Sequence, residues 1–117
     1  MHTFTRVMKA LSDPNRVKIL KMLQQRDLCV CELRAALGLA QPTVSKHLKV
    51  LEDAGLVLGR KEKNWVEYRL NSLPPSAYGT ALLGLLAQWL DDDPEVAALS
   101  RRLPLINRTE VCGPPKE

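Results

Sequence analysis

Leu33-Arg34-Ala35-Ala36-Leu37-Gly38-Leu39-Ala40-Gln41-Pro42-Thr43-Val44-Ser45-Lys46-His47-Leu48-Lys49-Val50-Leu51 decides the fold. Leu33, Ala36 and Leu37 share one helical face, and Gly38 follows as a C-terminal cap. Leu39-Ala40-Gln41 makes a tight connection before Pro42 opens the next helix. There Val44, Leu48 and Leu51 fall at i, i+4 and i+7, with Gly55 just past the end. Two short helices joined by so brief a turn are the signature of a helix-turn-helix.

Downstream the period changes. Leu56-Val57-Leu58 and Trp65-Val66-Glu67-Tyr68-Arg69-Leu70 read as strands around the polar tip Arg60-Lys61-Glu62-Lys63-Asn64, a β-hairpin or wing. Upstream, the first of the two helices starts around Cys29–Cys31. Before it, Ser12-Asp13-Pro14 restarts the chain with a capping side chain and a proline at the first helical position. Val17, Leu20 and Leu23 then line a helix ending near Gln25, and Phe4, Val7, Met8 and Leu11 form a short first helix.

Residues 72–76, with two prolines, form a linker. Tyr78, Ala81, Leu82, Leu85, Leu86, Trp89 and Leu90 beyond it keep helical spacing over three turns, the cleanest amphipathic pattern in the chain. Such a stripe after a complete small domain calls for a partner surface. The first helix and a second copy of the protein would supply one; burial in its own core is the alternative. Asp93-Pro94 restarts a brief helix to Leu103, and Pro104 ends it. The expected architecture is mainly α with a small β-hairpin: a winged helix-turn-helix over residues 1–92, dimerised through the N-terminal and fifth helices. Residues 93–117 form a C-terminal extension carrying Cys112.

Composition agrees with a small soluble domain whose core is aliphatic. Of 117 residues 45% are hydrophobic and 26% charged, but aromatic rings are confined to Phe4, Trp65, Tyr68, Tyr78 and Trp89. Residues 1–70 carry 13 Lys/Arg against 7 Asp/Glu, whereas residues 71–117 carry 4 against 6. The basic half is therefore the half holding the reading elements, as phosphate neutralisation requires. No apolar run opens the chain, and Ala81–Leu90 is half the length of a membrane span. Cytoplasmic location without membrane attachment is expected. With three cysteines in such a chain, free thiols are the default.

If the second helix of the pair enters a major groove, the side chains opposite its buried stripe meet the DNA. These are Gln41, Thr43, Ser45, Lys46, His47 and Lys49. Gln pairs with adenine, Lys with guanine or phosphate, and hydroxyls with either bases or phosphates. Arg60, Lys61 and Lys63 on the hairpin would reach the adjacent backbone or minor groove. A polar helix surface with no ligand is the plain alternative, and a lone His47 is more often a surface residue than a metal ligand.

Taken together, the chain resembles the ArsR/SmtB family of bacterial winged-helix repressors over about residues 4–92. Four stretches carry the resemblance: Leu11-Ser12-Asp13-Pro14-Asn15-Arg16, Leu28-Cys29-Val30-Cys31-Glu32-Leu33, Gln41-Pro42-Thr43-Val44-Ser45-Lys46-His47-Leu48, and Leu51-Glu52-Asp53-Ala54-Gly55-Leu56-Val57. The resemblance implies a homodimer on double-stranded operator DNA that dissociates when a metal or metalloid binds. It implies no permanently bound cofactor. Residues 76–92 hold no histidine, which excludes the zinc site of the dimer helix, and no cysteine precedes Leu11 to complete a cadmium or lead site. Arsenic sensors often place a third cysteine three residues after the second, where this chain has Arg34.

The sulfur site follows. Trivalent arsenic and antimony are soft and favour three thiolates, so they are the expected inducers. Cys29 and Cys31 near a helix start should have lowered thiol pKa values. On a regular helix positions i and i+2 point about 200° apart, so both sulfurs reach one ion only where the backbone is irregular. Cys112 is the candidate third ligand, from either subunit. A cadmium/lead or organoarsenical sensor, or a thiol redox-sensing repressor of the same fold, are alternatives. An interaction module without a DNA role is another. An enzyme is not expected, since the chain has neither a Cys-x-x-Cys in a βαβ unit nor a phosphate-binding loop.

Overall fold

The computed structural model describes residues 1–112. Helices α1 (His2–Ala10) and α2 (Pro14–Leu23) precede a two-residue strand, β1 (Leu28–Cys29). Next come α3 (Val30–Leu37), α4 (Gln41–Asp53), and the strands β2 (Val57–Glu62) and β3 (Trp65–Leu70). Helices α5 (Ala77–Leu86), α6 (Pro94–Arg102) and α7 (Arg108–Cys112) follow, with a short 3₁₀ turn at Leu103–Leu105. The winged helix-turn-helix expected from the sequence is present.

Local chemistry places the breaks. Asp13 Oδ1 accepts the backbone N–H groups of Asn15 and Arg16 at 2.8 and 3.3 Å and starts α2. Gly38 ends α3 at φ 68°, a left-handed turn that lets α4 begin after Ala40. Ile19, Leu20, Leu28, Leu33, Leu48, Leu51, Leu56 and Leu103 are fully buried and form the centre of the core. No aromatic ring lies in it, so the core is aliphatic as composition implied.

Two features of the sheet go beyond the sequence expectation. β2 extends to Glu62 while β3 begins at Trp65 as expected, so the hairpin tip is Lys63-Asn64 alone, with Lys63 at φ 52°. The sheet also has a third strand, in order β1-β3-β2, with Leu28 opposite Tyr68 and Cys29 opposite Glu67. The wing is thus hydrogen-bonded to the residue that precedes α3.

Helix α5 stops at Leu86, four residues short of the stripe read from sequence. Buried Lys21 accounts for this. Its ammonium donates to the Leu86 carbonyl at 2.9 Å, the Trp89 carbonyl at 2.8 Å and Asp91 Oδ1 at 2.8 Å. All three of its donors are satisfied as the chain leaves the helix, and Leu90 turns left-handed at φ 68°. Phe4 and Tyr78 pack edge to face with ring centroids 5.1 Å apart. Met8, Leu85, Trp89 and Leu90 also stay exposed, which leaves apolar side chains on α1, on α5 and just past its end open to solvent.

Residues 93–112 are packed rather than trailing. Asp93 caps α6 through the N–H groups of Glu95 and Val96. Val96, Leu99 and Leu103 are buried, and α6 lies against α2. Arg102 Nη2 donates to the Ala36 carbonyl at 2.7 Å, and Arg26 Nη2 donates to the carbonyls of Leu103 and Ile106. These bonds lead the chain back to α3, where α7 docks.

Candidate functional site

On α4, Val44, Leu48 and Leu51 face the core, while Gln41, Thr43, Ser45, Lys46 and Lys49 are exposed. Lys49 shares its charge with Asp53 one turn on, at 3.2 Å. His47 stands differently: it is half-buried, with Nδ1 3.3 Å from Arg16 Nη1. That guanidinium also donates to the carbonyls of Ala10 and Lys9, so His47 joins α4 to the α1–α2 junction. On the wing, Lys61 and Lys63 are exposed. Arg60 lies within β2 and pairs with Glu62 at 2.6 Å and Glu67 at 3.7 Å.

The three cysteines meet at the start of α3. Their sulfurs all lie within 4.8 Å of one another. Cys29 has extended backbone (φ −88°, ψ 167°) as the last residue of β1, and Cys31 is the second residue of α3. The strand-to-helix bend between them removes the divergence a regular helix would impose. Cys112 arrives on α7 of the same chain, 3.1 Å from the Cys29 sulfur. Cys31 and Cys112 are joined as a disulfide with Cα atoms 5.3 Å apart, and Cys29 is free and buried. The expectation of three free thiols is corrected in that respect. Docking of α7, invisible as a periodic pattern, is what brings the distant cysteine into bonding range.

The expected lowering of both thiol pKa values also fails at Cys29. Burial pushes this thiol above its ordinary value; the Glu32 backbone N–H pulls it down, the Glu32 carboxylate raises it further, and Arg108 opposes least. Glu32 is itself 1% exposed. Its Oε1 accepts the Cys29 N–H at 2.9 Å, the reciprocal bond of a capping box. Arg26 Nη1 donates to Oε2 at 2.8 Å, while Arg108 Nε and Nη2 donate to Oε1 at 3.1 and 2.9 Å. Burial alone would raise the Glu32 carboxyl. The Cys29 N–H and the guanidinium bonds outweigh it and hold the group below the ordinary carboxylate value.

Arg108 reaches further. Its Nη2 also donates to Glu67 Oε2 on β3 at 2.8 Å, and its guanidinium lies 5.1 Å from the ring centroid of Trp65. Sequence reading missed Glu32, Glu67, Trp65 and Arg108 as site residues. For Glu32 a signal existed, three residues after a candidate N-cap. For Arg108, five helical residues in an aperiodic tail offered none.

A winged helix-turn-helix with a polar reading face and a sulfur cluster at the helix that precedes it defines a DNA-binding regulator. Comparison with known proteins agrees. The model of the arsR family of bacterial regulatory proteins matches residues 13–58. The arsenic resistance transcriptional regulator ArsR1 of Pseudomonas putida is 38% identical over 91 residues, covering 74% of this chain and 71% of that protein. The arsenical resistance operon repressor of Escherichia coli is 38% identical over 96 residues, covering 81% and 80%. A homodimeric winged helix-turn-helix domain from Mycobacterium bovis, a possible ArsR-family regulator, aligns with TM-score 0.62 at 28% identity. It covers 86% of this chain and 81% of that one. The chain belongs to the arsR family of bacterial regulatory proteins. It is a transcriptional regulator, not an enzyme. Among the described residues no helix is long and apolar enough to cross a membrane.

Proposed function

We propose that the chain represses transcription as a homodimer on operator DNA and is released when trivalent arsenic or antimony engages Cys29, Cys31 and Cys112. The observation that carries this reading is the meeting of three sulfurs, from β1, α3 and α7, within 4.8 Å. Thiolates about 2.3 Å from a shared ion lie about 3.8 Å from each other, so reduced side chains here need little adjustment. Arsenous acid enters neutral. Each hydroxide leaves as water with one thiol proton, and the three-sulfur adduct is neutral, which suits a buried corner. In the cytoplasm, where thiols are kept reduced, the Cys31–Cys112 pair is available for that exchange.

Gln41, Thr43, Ser45 and Lys46 present polar groups to base edges and phosphates, and Lys49, Lys61 and Lys63 supply charge to the backbone. His47 and Arg60 join them on exchanging their present partners. The exposed apolar face of α1 and α5 receives the second copy, in keeping with the homodimeric Mycobacterium bovis domain. A thousandfold loss of operator affinity takes about 4 kcal/mol. Thiolate ligation of zinc in small peptides supplies about 10–16 kcal/mol, so partial coupling suffices. The inducer must still prefer the DNA-incompetent form.

A gel shift with DNA from upstream of the chain's own gene tests this. Arsenite should release the wild-type protein, and Cys29→Ser, Cys31→Ser and Cys112→Ser should each stay bound. Retention of wild type at every arsenite concentration would refute the reading. The Cys31–Cys112 bond favours one other reading, a thiol redox switch. Two thiols would give two electrons and two protons to peroxide, forming the disulfide and two waters. Release by peroxide with no response to arsenite would select it.

A further inference from the structure

We infer that Arg108 is the positioning residue that transmits the state of the sulfur cluster to the wing. This rests on the proposed reading of the three cysteines as the sensing site. The cluster touches the DNA-reading machinery by three routes. One is covalent, from α3 through the Gly38-Leu39-Ala40 turn into α4. A second is the backbone ladder in which Cys29 of β1 pairs with β3. The third, and the one made by a side chain next to Cys112, is Arg108, four residues before it and so one helical turn away on α7.

One guanidinium holds three partners from two elements. It donates to buried Glu32 of α3 at 2.9 Å and to Glu67 of β3 at 2.8 Å, and it covers the Trp65 ring at the base of the hairpin tip. Glu67 stands opposite Cys29 in the β1–β3 ladder. A change that fixes or frees Cys112 therefore moves a side chain that ion-pairs with both α3 and the wing strand. Operator binding requires α4 and the wing to fit the duplex together, so fixing their relation in one geometry biases the equilibrium. Within α7 the hold is modest without sulfur: two ion pairs at partly exposed Arg108 and one cation–π contact. Tying Cys112 to the cluster is what would make that hold persistent.

The test uses the full-length protein with fluorescent operator DNA, titrated in parallel with arsenite and with diamide. Diamide oxidises Cys31 and Cys112 to the disulfide, and its N=N bond takes up the two electrons and two protons as a hydrazine. Arg108→Met should consume thiols as wild type does yet need about tenfold more of either reagent for operator release. Arg108→Lys, which keeps the charge but not the forked geometry, should fall between. Glu67→Gln leaves the Glu32 bonds and the cluster in place and should also uncouple thiol consumption from release. Wild type should show a tryptophan emission change on thiol consumption that Trp65→Phe lacks and Arg108→Met loses. Release of Arg108→Met and Glu67→Gln at wild-type reagent concentrations would overturn the inference. If wild type consumes no thiol with arsenite, the metalloid reading has failed, and the diamide arm still decides the role of Arg108.

Discussion

The reading face of α4 and the sulfur corner at the start of α3 are neighbours built on opposite principles. On α4 the side chains proposed to meet DNA are exposed: Gln41, Thr43, Ser45 and Lys46 project from a helix held by Val44, Leu48 and Leu51. At the corner the cysteines and charges are buried or half-buried and engage one another across residues 26–112. A surface made for DNA must leave its polar groups available. A switch must have its groups committed, so that one new bond changes several others.

Changes on the two sides should therefore separate cleanly. The largest effect is expected at the corner: Cys31→Ser should abolish arsenite-driven release, a loss of about 4 kcal/mol of coupling if release is thousandfold. Operator anisotropy with and without arsenite reads it directly. Next in size, Glu32→Gln removes the carboxylate that holds two guanidinium groups and should lower urea stability by about 2–3 kcal/mol. Unchanged stability would mean that the buried network contributes nothing to holding the corner.

On the reading face, Gln41→Ala should cost about 1–3 kcal/mol at its preferred site and relax the preference there. Lys46→Ala should weaken binding to all sequences alike and reduce the salt slope by about one. Neither should alter thiol reactivity, and if either does, the two regions are not separable as described.

The smallest effect is one of pH. Glu32 has a folded pKa below its ordinary value of 4.5, so its contribution is fully present above 4.5 and is lost only as pH falls through the lowered value. The Trp65 emission that reports α7 docking should persist at pH 4.5 and disappear in stronger acid. Disappearance above 4.5 would place the charge balance of the corner elsewhere.

The same contrast explains what could be read from sequence. The reading face rests on local rules: a capping Asp13, prolines at helix starts, a left-handed Gly38 and an i, i+4, i+7 stripe. Its elements were legible within a residue or two. The corner rests on long-range partners. β1 is two residues long and exists because Leu28 and Cys29 pair with β3. The end of α5 is set by Lys21, 65 residues away from Leu86. α7 has no apolar period and is held by the disulfide and by Arg108. Cys112 could be named as a candidate ligand because so few cysteines are present, but its position could not. The Cys29 thiol likewise followed burial rather than the helix dipole, and burial at β1 depends on that unforeseen pairing.

X-ray absorption at the arsenic edge of the arsenite-loaded, full-length protein tests the central claim most directly. A first shell of three sulfur neighbours in wild type, with an oxygen replacing one of them in Cys112→Ser, is the expected result. A wild-type shell that retains oxygen, or a Cys112→Ser protein with the wild-type shell, would contradict a site built from β1, α3 and α7.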